Sequence, residues 1–328
     1  MGKIFTPIID ILQNEKNLII VGHEDPDCDS VASILSLYLT FGGKEKNWYP
    51  LVGENVPMEL RFLPGIEFLC LPQDLPSDYG NILLVDCDTP ERAGAFLPPL
   101  IAGRKLYCID HHISNGFLGD VVIVDPKAAA TTELISLIIE EAGLPISDEA
   151  ALCLYSGMSA DSGGFRFIST TARTMACAGK LVPQVDLETV QTNLFESRTI
   201  ENIKMLAVCL NNIQVDSDGL LCYSYISREE QLAHNATEQD CNRIVNFTMA
   251  IFGVKMGLLF EEGEGHVKIS LRARRGYRVD EIAKELGGGG HMQAAGCKIP
   301  GDLTLVMPLA IAKAKEEILR RGCLYKSE

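Results

Sequence analysis

Four short segments concentrate the side chains that ligate cations. VGHEDPDCDS at 21–30 holds His23, Asp25, Asp27 and Asp29, VDCD at 85–88 holds Asp86 and Asp88, IDHH at 109–112 holds Asp110, His111 and His112, and MSADSGG at 158–164 holds Asp161. Carboxylates crowded in this way repel one another unless a cation or several donors offset them. Any one of them is most simply a turn former or a cap: Asp29 or Ser30 suits the start of the helical pattern SVASILSLYLT, and Asp88 suits the turn before Thr89-Pro90. Four segments that all carry ligands are harder to explain as caps. Together they hold seven aspartates and three histidines, and even the five or six carboxylates expected to ligate are too many for one closed structural zinc site. They suit two hard divalent cations, manganese or magnesium. Two such ions about 3.5–4 Å apart stabilise both the attacking and the leaving oxygen of a displacement at phosphorus. Asp86, on the middle segment, is the candidate bridging carboxylate.

Each ligand segment ends or follows an apolar run. NLIIVG leads to His23, NILLVD ends in Asp86 and KLYCID ends in Asp110, while NWYPLVG and DVVIVD add further strand-like runs. Strands alternating with helical patterns predict a doubly wound parallel α/β sheet, whose loops at the carboxyl ends of the strands lie along one edge. TTELISLIIEEAG predicts a helix ending at Gly143. A second helix, capped by Ser147, predicts the approach to Asp161. This domain spans 1–185. Residues 186–212 have helical periodicity and no glycine and are expected to form a helical linker. Residues 213–328, with the runs LLCYSYIS, FGVKMGLLFE and HVKISLRAR and the turns DSDG and EEGEG, predict a smaller α/β domain with an antiparallel or mixed sheet and helices at DEIAKEL and near the end.

Composition narrows the function. A net charge of −15 opposes a broad nucleic-acid or acidic-membrane surface, so long duplex nucleic acid and membranes are not expected partners. The eleven cysteines form no C-x-x-C pair, and several sit in apolar patterns, as free thiols of a reducing compartment do. No apolar run reaches the roughly 18–20 residues of a membrane span, and MGKIFTPIID has no signal-peptide core. A cytoplasmic enzyme or binding protein is expected. His234 and His266 lack matching ligand spacings and read as surface residues, and Trp48, Tyr49, Phe165 and Phe167 read mostly as packing residues.

In the second domain GGGGHMQAAG at 287–296 has two readings. Gly287 alone could close the preceding helix. Four glycines, however, let backbone N–H groups of Gly288, Gly289, Gly290 and His291 approach an anion, with a helix starting near His291 adding its dipole and a side-chain donor. The second reading is preferred because four glycines exceed what a cap needs. Upstream, strand alternation puts Ser270, Arg272 and Arg274 on one face, and an Arg fork suits a terminal phosphate. Arg166, beside Asp161, is a further phosphate contact. Arg274, Arg275 and Arg278 also read as a solvated charge run.

The set H-x-x-P-D-x-D at 23–29, VDCD, DHH at 110–112 and Asp161 resembles, in order and spacing, the metal motifs of the DHH phosphoesterase superfamily. GGGGHMQAAG and SLRAR at 270–274 resemble the signatures of its DHHA1 domain. The length is similar to that of the branch containing bacterial oligoribonuclease (nanoRNase) and 3′-phosphoadenosine 5′-phosphate (pAp) phosphatase. The resemblance implies that His23, Asp27 and Asp86 hold one metal, most often manganese, and Asp29, Asp86, His111 and Asp161 the other. It puts His112 against the scissile phosphate, Asp110 behind it, and Arg272 on the terminal phosphate; Asp25 receives no role. The implied activity is hydrolysis of short oligoribonucleotides and pAp to mononucleotides, with binding of a terminal phosphate in a closed cleft limiting chain length. A phosphodiesterase for cyclic di-AMP or pApA is the alternative, and a non-hydrolytic nucleotide sensor is the alternative of another class. A homodimer is compatible with the sequence.

Overall fold

The apolar runs of the first half become a five-stranded, wholly parallel sheet in a computed structural model that describes residues 4–53, 56–112, 119–216 and 219–324. In chain order the elements are α1 (Thr6–Asn14), β1 (Ile19–Val21), α2 (Cys28–Thr40), β2 (Tyr49–Leu51), β3 (Ile82–Val85), α3 (Leu97–Ile101), β4 (Leu106–Asp110), β5 (Val121–Val124), α4 (Thr131–Ala142), α5 (Asp148–Asp161), α6 (Ala172–Leu181) and α7 (Leu187–Gln191). The sheet order is β2-β1-β3-β4-β5. In such a sheet the direction of winding reverses between β1 and β3, and the crevice outside the carboxyl ends of those strands is where ligands bind.

Both faces of the sheet are covered, which is why these strands read as unbroken apolar runs. One face, with Ile20, Leu83, Val85 and Ile109, packs on Ile8 and Leu12 of α1, Ile34 and Leu37 of α2, Leu134 and Ile138 of α4 and Leu154 of α5. The other face, with Ile19, Val21, Ile82, Leu84 and Cys108, packs on Leu97 of α3. Helix boundaries follow local chemistry. Ser147 caps α5 by accepting the Ala150 N–H, and Gly143 ends α4 in the left-handed conformation.

The second unit starts at Arg198; the first ends at Ser197, inside the stretch 186–212. It consists of α8 (Ile200–Asn211), β6 (Gln214–Val215), β7 (Leu221–Ile226), α9 (Arg228–Ala233), β8 (Met256–Glu262), β9 (His266–Ala273), α10 (Val279–Glu285), β10 (Gly289–His291), β11 (Ala294–Pro300) and α11 (Leu303–Leu324). Its sheet has the order β10-β11-β9-β8-β7-β6 and is mixed, because β7 and β8 run parallel while the other pairs are antiparallel. Val267, Ile269 and Leu271 alternate into a core with Val279 and Ile282 of α10 and Val306, Ala310 and Ala314 of α11. The opposite face carries Leu259 and Ile226 against Met205 and Cys209 of α8. Ser217 and Asp218 of the DSDG turn lie outside the described residues.

The ten cysteines whose side chains are described are all free, and all but Cys70 are buried. No helix among the described residues is long and apolar enough to cross a membrane. Trp48 is buried, its indole N–H donating to the Glu15 carbonyl, whereas Phe167 is 54% exposed.

Candidate metal centre

The three strands β1, β3 and β4 are neighbours, so the segments that follow them lie side by side at one sheet edge. His23 stands two residues beyond β1, Asp86 directly follows β3, and Asp110, His111 and His112 end and follow β4. Asp161, the last residue of α5, joins them. Three groups result, each with ligand atoms within 4.8 Å of one another: His23, Asp27 and Asp86; Asp29, His111 and Asp161; and Asp86, His111 and His112.

Asp86 occupies the middle. Its Oδ2 lies 3.6 Å from His23 Nε2, and its Oδ1 lies 3.5 Å from His111 Nε2 and 3.7 Å from His112 Nδ1. The backbone there is left-handed, with φ +54°, a conformation that costs an ordinary residue about 1–2 kcal/mol and that Asp tolerates better than most. The Asp86 N–H still donates to the Ile109 carbonyl, so the strand pairing runs up to the residue at which the chain turns. Burial and then the neighbouring Asp29 charge push the Asp86 carboxyl up to about 7. Burial and the charges of Asp29 and Asp27 likewise raise Asp161 well above the carboxylate range, and burial raises Asp29. Negative charge is concentrated here beyond what the local donors neutralise, and the donors are carboxylate oxygens and imidazoles. That set fits hard divalent cations.

The imidazoles are oriented by the groups behind them. His111 Nδ1 sits 3.2 Å from the Ala128 carbonyl, which can only accept, so Nδ1 carries the proton and Nε2 presents its lone pair toward Asp86 and Asp161, the latter at 3.3 Å. His112 differs. Its Nδ1 donates to Asp110 Oδ1 at 2.7 Å, and although burial opposes protonation, that bond and the charge of Asp86 raise the imidazole to about 9. Asp110 Oδ1 also accepts the N–H groups of His111 and His112, fixing the turn. The ring nitrogen that His112 brings to 3.7 Å from Asp86 is therefore the one that carries the proton, whereas His111 faces Asp86 with Nε2. His23 is opposed by burial too, yet its contacts to Asp27 and Asp86 raise it to about 10.

Several expectations are corrected. The cap of α2 is Asp27, whose Oδ1 accepts the Ser30 N–H at 3.0 Å; Asp29 and Ser30 do not cap it. Thr89 caps the turn at Pro90–Ala93, and Asp88 instead pairs with Arg92 at 2.9 Å. No helix begins near His291, which closes strand β10; its side chain lies outside what the structure describes. Arg274 falls one residue past β9, outside the alternation that Ser270 and Arg272 share. Arg278 pairs with Asp280 and Glu281 and is not free in solvent.

The glycine run divides its labour. Gly287, at φ +81°, and Gly288 close α10 with N–H bonds to the Lys284 and Ala283 carbonyls. A Cβ on Gly288 would stand 2.1 Å from the Gly296 carbonyl, and one on Gly290, at φ +138°, would stand 2.5 Å from Ala295 Cα. Only Gly289 of the four has open space and an ordinary backbone. Arg272, half-buried, donates Nε to Asn246 Oδ1 at 3.2 Å and a terminal nitrogen to the Leu271 carbonyl at 2.9 Å. No carboxylate among the described residues comes within 4 Å to pair with it, and desolvation lowers its pKa. Arg166 is exposed, with Nε donating to the Gly163 carbonyl at 2.7 Å.

Residues 17–158 match the DHH family, N-terminal domain, and residues 218–320 match the DHHA1 domain. The chain is a DHH–DHHA1 protein. Among its relatives, the bifunctional oligoribonuclease and PAP phosphatase NrnA of Thermus thermophilus is 29% identical over 314 residues, covering 94% of this chain and 93% of that one. The protein of the same name from Bacillus subtilis is 25% identical over 240 residues, covering 72% of this chain and 76% of its own. The crystal structure of an exopolyphosphatase-related protein from Bacteroides fragilis superposes with a TM-score of 0.89 at 23% identity, covering 96% of both chains, a likeness of fold. The parallel first domain and mixed-sheet second domain expected of a DHH–DHHA1 protein are both present.

Two residues that sequence reasoning passed over also touch the centre. Thr131 and Thr132, at the start of α4, hydrogen-bond Asp86 and Asp29. The sequence did carry a signal for them: α4 begins after three alanines, with Ala130 at the cap position and no side chain of its own to satisfy its first N–H groups.

Proposed function

We propose that this DHH–DHHA1 protein hydrolyses short oligoribonucleotides and pAp to mononucleotides, with two divalent cations, manganese before magnesium, held by His23, Asp27, Asp29, Asp86, His111 and Asp161. The observation that carries the reading is Asp86, whose two oxygens face two different ligand groups from a strained backbone at the sheet's switch point. The cations would supply Lewis acidity and a nucleophile of lowered pKa at phosphorus. Asp86 spans both groups, His111 offers Nε2 because Ala128 holds its Nδ1 proton, and Asp110 keeps His112 protonated as a donor to charge developing on the phosphoryl oxygens. Arg272, a half-buried guanidinium with no carboxylate partner among the described residues, would take a terminal phosphate, with the backbone at Gly289, Gly290 and His291 beside it and Arg166 as a further contact, while the Gly288 N–H is already held by the Ala283 carbonyl.

The relatives named for oligoribonuclease and PAP phosphatase activity support the substrate class. The net charge of −15 agrees with it, since a long polyanion is repelled wherever no local cation receives it. A domain division at 1–185, 186–212 and 213–328 and a cytoplasmic location belong to the same proposal. The test is turnover of pAp, a tri-ribonucleotide and a cyclic dinucleotide with manganese. Faster hydrolysis of the first two is expected. Negligible hydrolysis of both would refute the reading, and turnover of the cyclic dinucleotide alone would reassign the substrate.

A further inference from the structure

Asp29, in α2, and Asp86, just past β3, are both buried, and both carboxylates take hydrogen bonds from a third element, α4. Asp29 Oδ2 accepts the Thr131 N–H at 2.6 Å, and Asp29 Oδ1 accepts the Thr132 N–H at 3.1 Å and its hydroxyl at 2.6 Å. Asp86 Oδ1 accepts the Thr131 hydroxyl at 3.0 Å. The first turn of α4 therefore supplies four donors to two carboxylates that stand 57 residues apart in the chain. The exchange is mutual, because α4 has no side-chain cap and Asp29 satisfies its first N–H groups from another helix.

Two further contacts show that this turn is fixed from outside the centre. Glu133, fully buried, accepts the Ala129 N–H at 2.9 Å and the Thr174 hydroxyl at 2.8 Å and pairs with Arg173, which pins the start of α4. Gly157, in the interior of α5, stands where a Cβ would lie 2.5 Å from Thr132 Cγ2, 2.7 Å from its hydroxyl and 2.8 Å from Asp29 Oδ1. A glycine inside a helix is unfavourable relative to alanine. Here it leaves the space in which the Thr132 hydroxyl reaches Asp29.

We propose that Thr131, Thr132 and Gly157 are positioning residues of the metal centre: the two threonines fix which oxygens of Asp86 and Asp29 remain for the cations, and Gly157 makes room for that contact. The inference rests on the metal-centre reading above. Asp86 belongs to two of the three ligand groups and Asp29 to one, so the threonines are not equivalent. Loss of the Thr131 hydroxyl should weaken both cation sites, and loss of the Thr132 hydroxyl should weaken the Asp29 site alone.

The test is calorimetric titration of the full chain with manganese chloride, without substrate, alongside metal-free melting temperatures. Outer ligand-positioning contacts are worth about 10–100-fold in metal affinity. Thr132→Val and Gly157→Ala should weaken one of two sites by that factor, Thr131→Val should weaken both, and Thr131→Ser and Thr132→Ser should stay within about 3-fold of wild type because they keep the hydroxyl. If the valine variants melt lower without metal yet bind manganese with wild-type affinity at both sites, the residues are only structural and the inference falls. If the serine variants lose affinity as the valine variants do, the hydroxyls are not responsible and it falls equally. Absence of manganese binding by the wild type would instead refute the metal-centre reading itself.

Discussion

The two units treat buried charge in opposite ways. At the sheet edge of the first, carboxylates outnumber their donors, and Asp29, Asp86 and Asp161 are all driven up by burial and then by neighbouring carboxylates, Asp27 among them. In the second, Arg272 is a half-buried cation whose hydrogen bonds go to the Asn246 amide oxygen and the Leu271 carbonyl, with no carboxylate within 4 Å among the described residues. Charge left unbalanced inside a protein is costly unless something arrives to neutralise it. On the function proposed above, the first unit receives cations and the second an anion. Chemistry should therefore fail when the first is altered, and substrate affinity when the second is.

The sharpest break should come at Asp86. Asp86→Asn keeps the side-chain shape and a residue type that accepts left-handed backbone, but removes the charge that two ligand groups share. Turnover of pAp with manganese should drop about 100–1,000-fold, the range set by loss of a principal electrostatic stabiliser, while circular dichroism stays that of the wild type. A loss under 10-fold would leave Asp86 without its central role. At Arg272 the expected effect is smaller and falls on KM. Arg272→Ala should raise KM about 10–100-fold with kcat little changed, the worth of a charge-assisted hydrogen-bonding fork. Arg272→Lys should recover only part of this, because an ammonium cannot make the paired bonds. A fall in kcat at unchanged KM would contradict the division of labour between the units.

The glycine run separates structure from binding within the second unit. Gly288→Ala and Gly290→Ala each force a Cβ into backbone and should cost about 1–3 kcal/mol in denaturant melts. Gly289→Ala meets open space, so it should leave stability within about 1 kcal/mol and raise KM if substrate passes over that residue. The mildest effect is on pH and stability in the first unit. Without metal, His23 holds its proton to about 10 and Asp86 to about 7, both above the unfolded values of about 6.5 and 3.9. The stability each contributes is complete below its unfolded pKa and is lost as pH rises through its folded pKa. Metal-free protein should thus melt about 3 °C or more lower at pH 9 than at pH 6. Manganese should reverse that trend, because ligation displaces the protons and is favoured as pH rises. A metal-free melting temperature that climbs between pH 6 and 9 would show that these groups are not held as described.

Read along the chain, the residue types already specified much of this protein. The apolar runs ending in His23, Asp86 and Asp110 were legible because a strand buried on both faces is an unbroken apolar run, and the helix capped by Ser147 was legible because a cap and a period of 3.6 are local. The order of histidines and aspartates placed the candidate ligands on one edge, since a parallel sheet puts the ends of its strands together. Only the tertiary structure decided how those side chains are held. It assigned the cap of α2 to Asp27 and gave Asp29 to α4, across 102 residues of chain. It set the His111 proton by the Ala128 carbonyl, turned the backbone at Asp86 to φ +54°, and spent three of four glycines on a helix end and a tight hairpin. Periodicity records what a residue does with its neighbours in sequence. A hydrogen bond between distant segments leaves no period, so the contacts that orient the centre emerge only when the chain has folded.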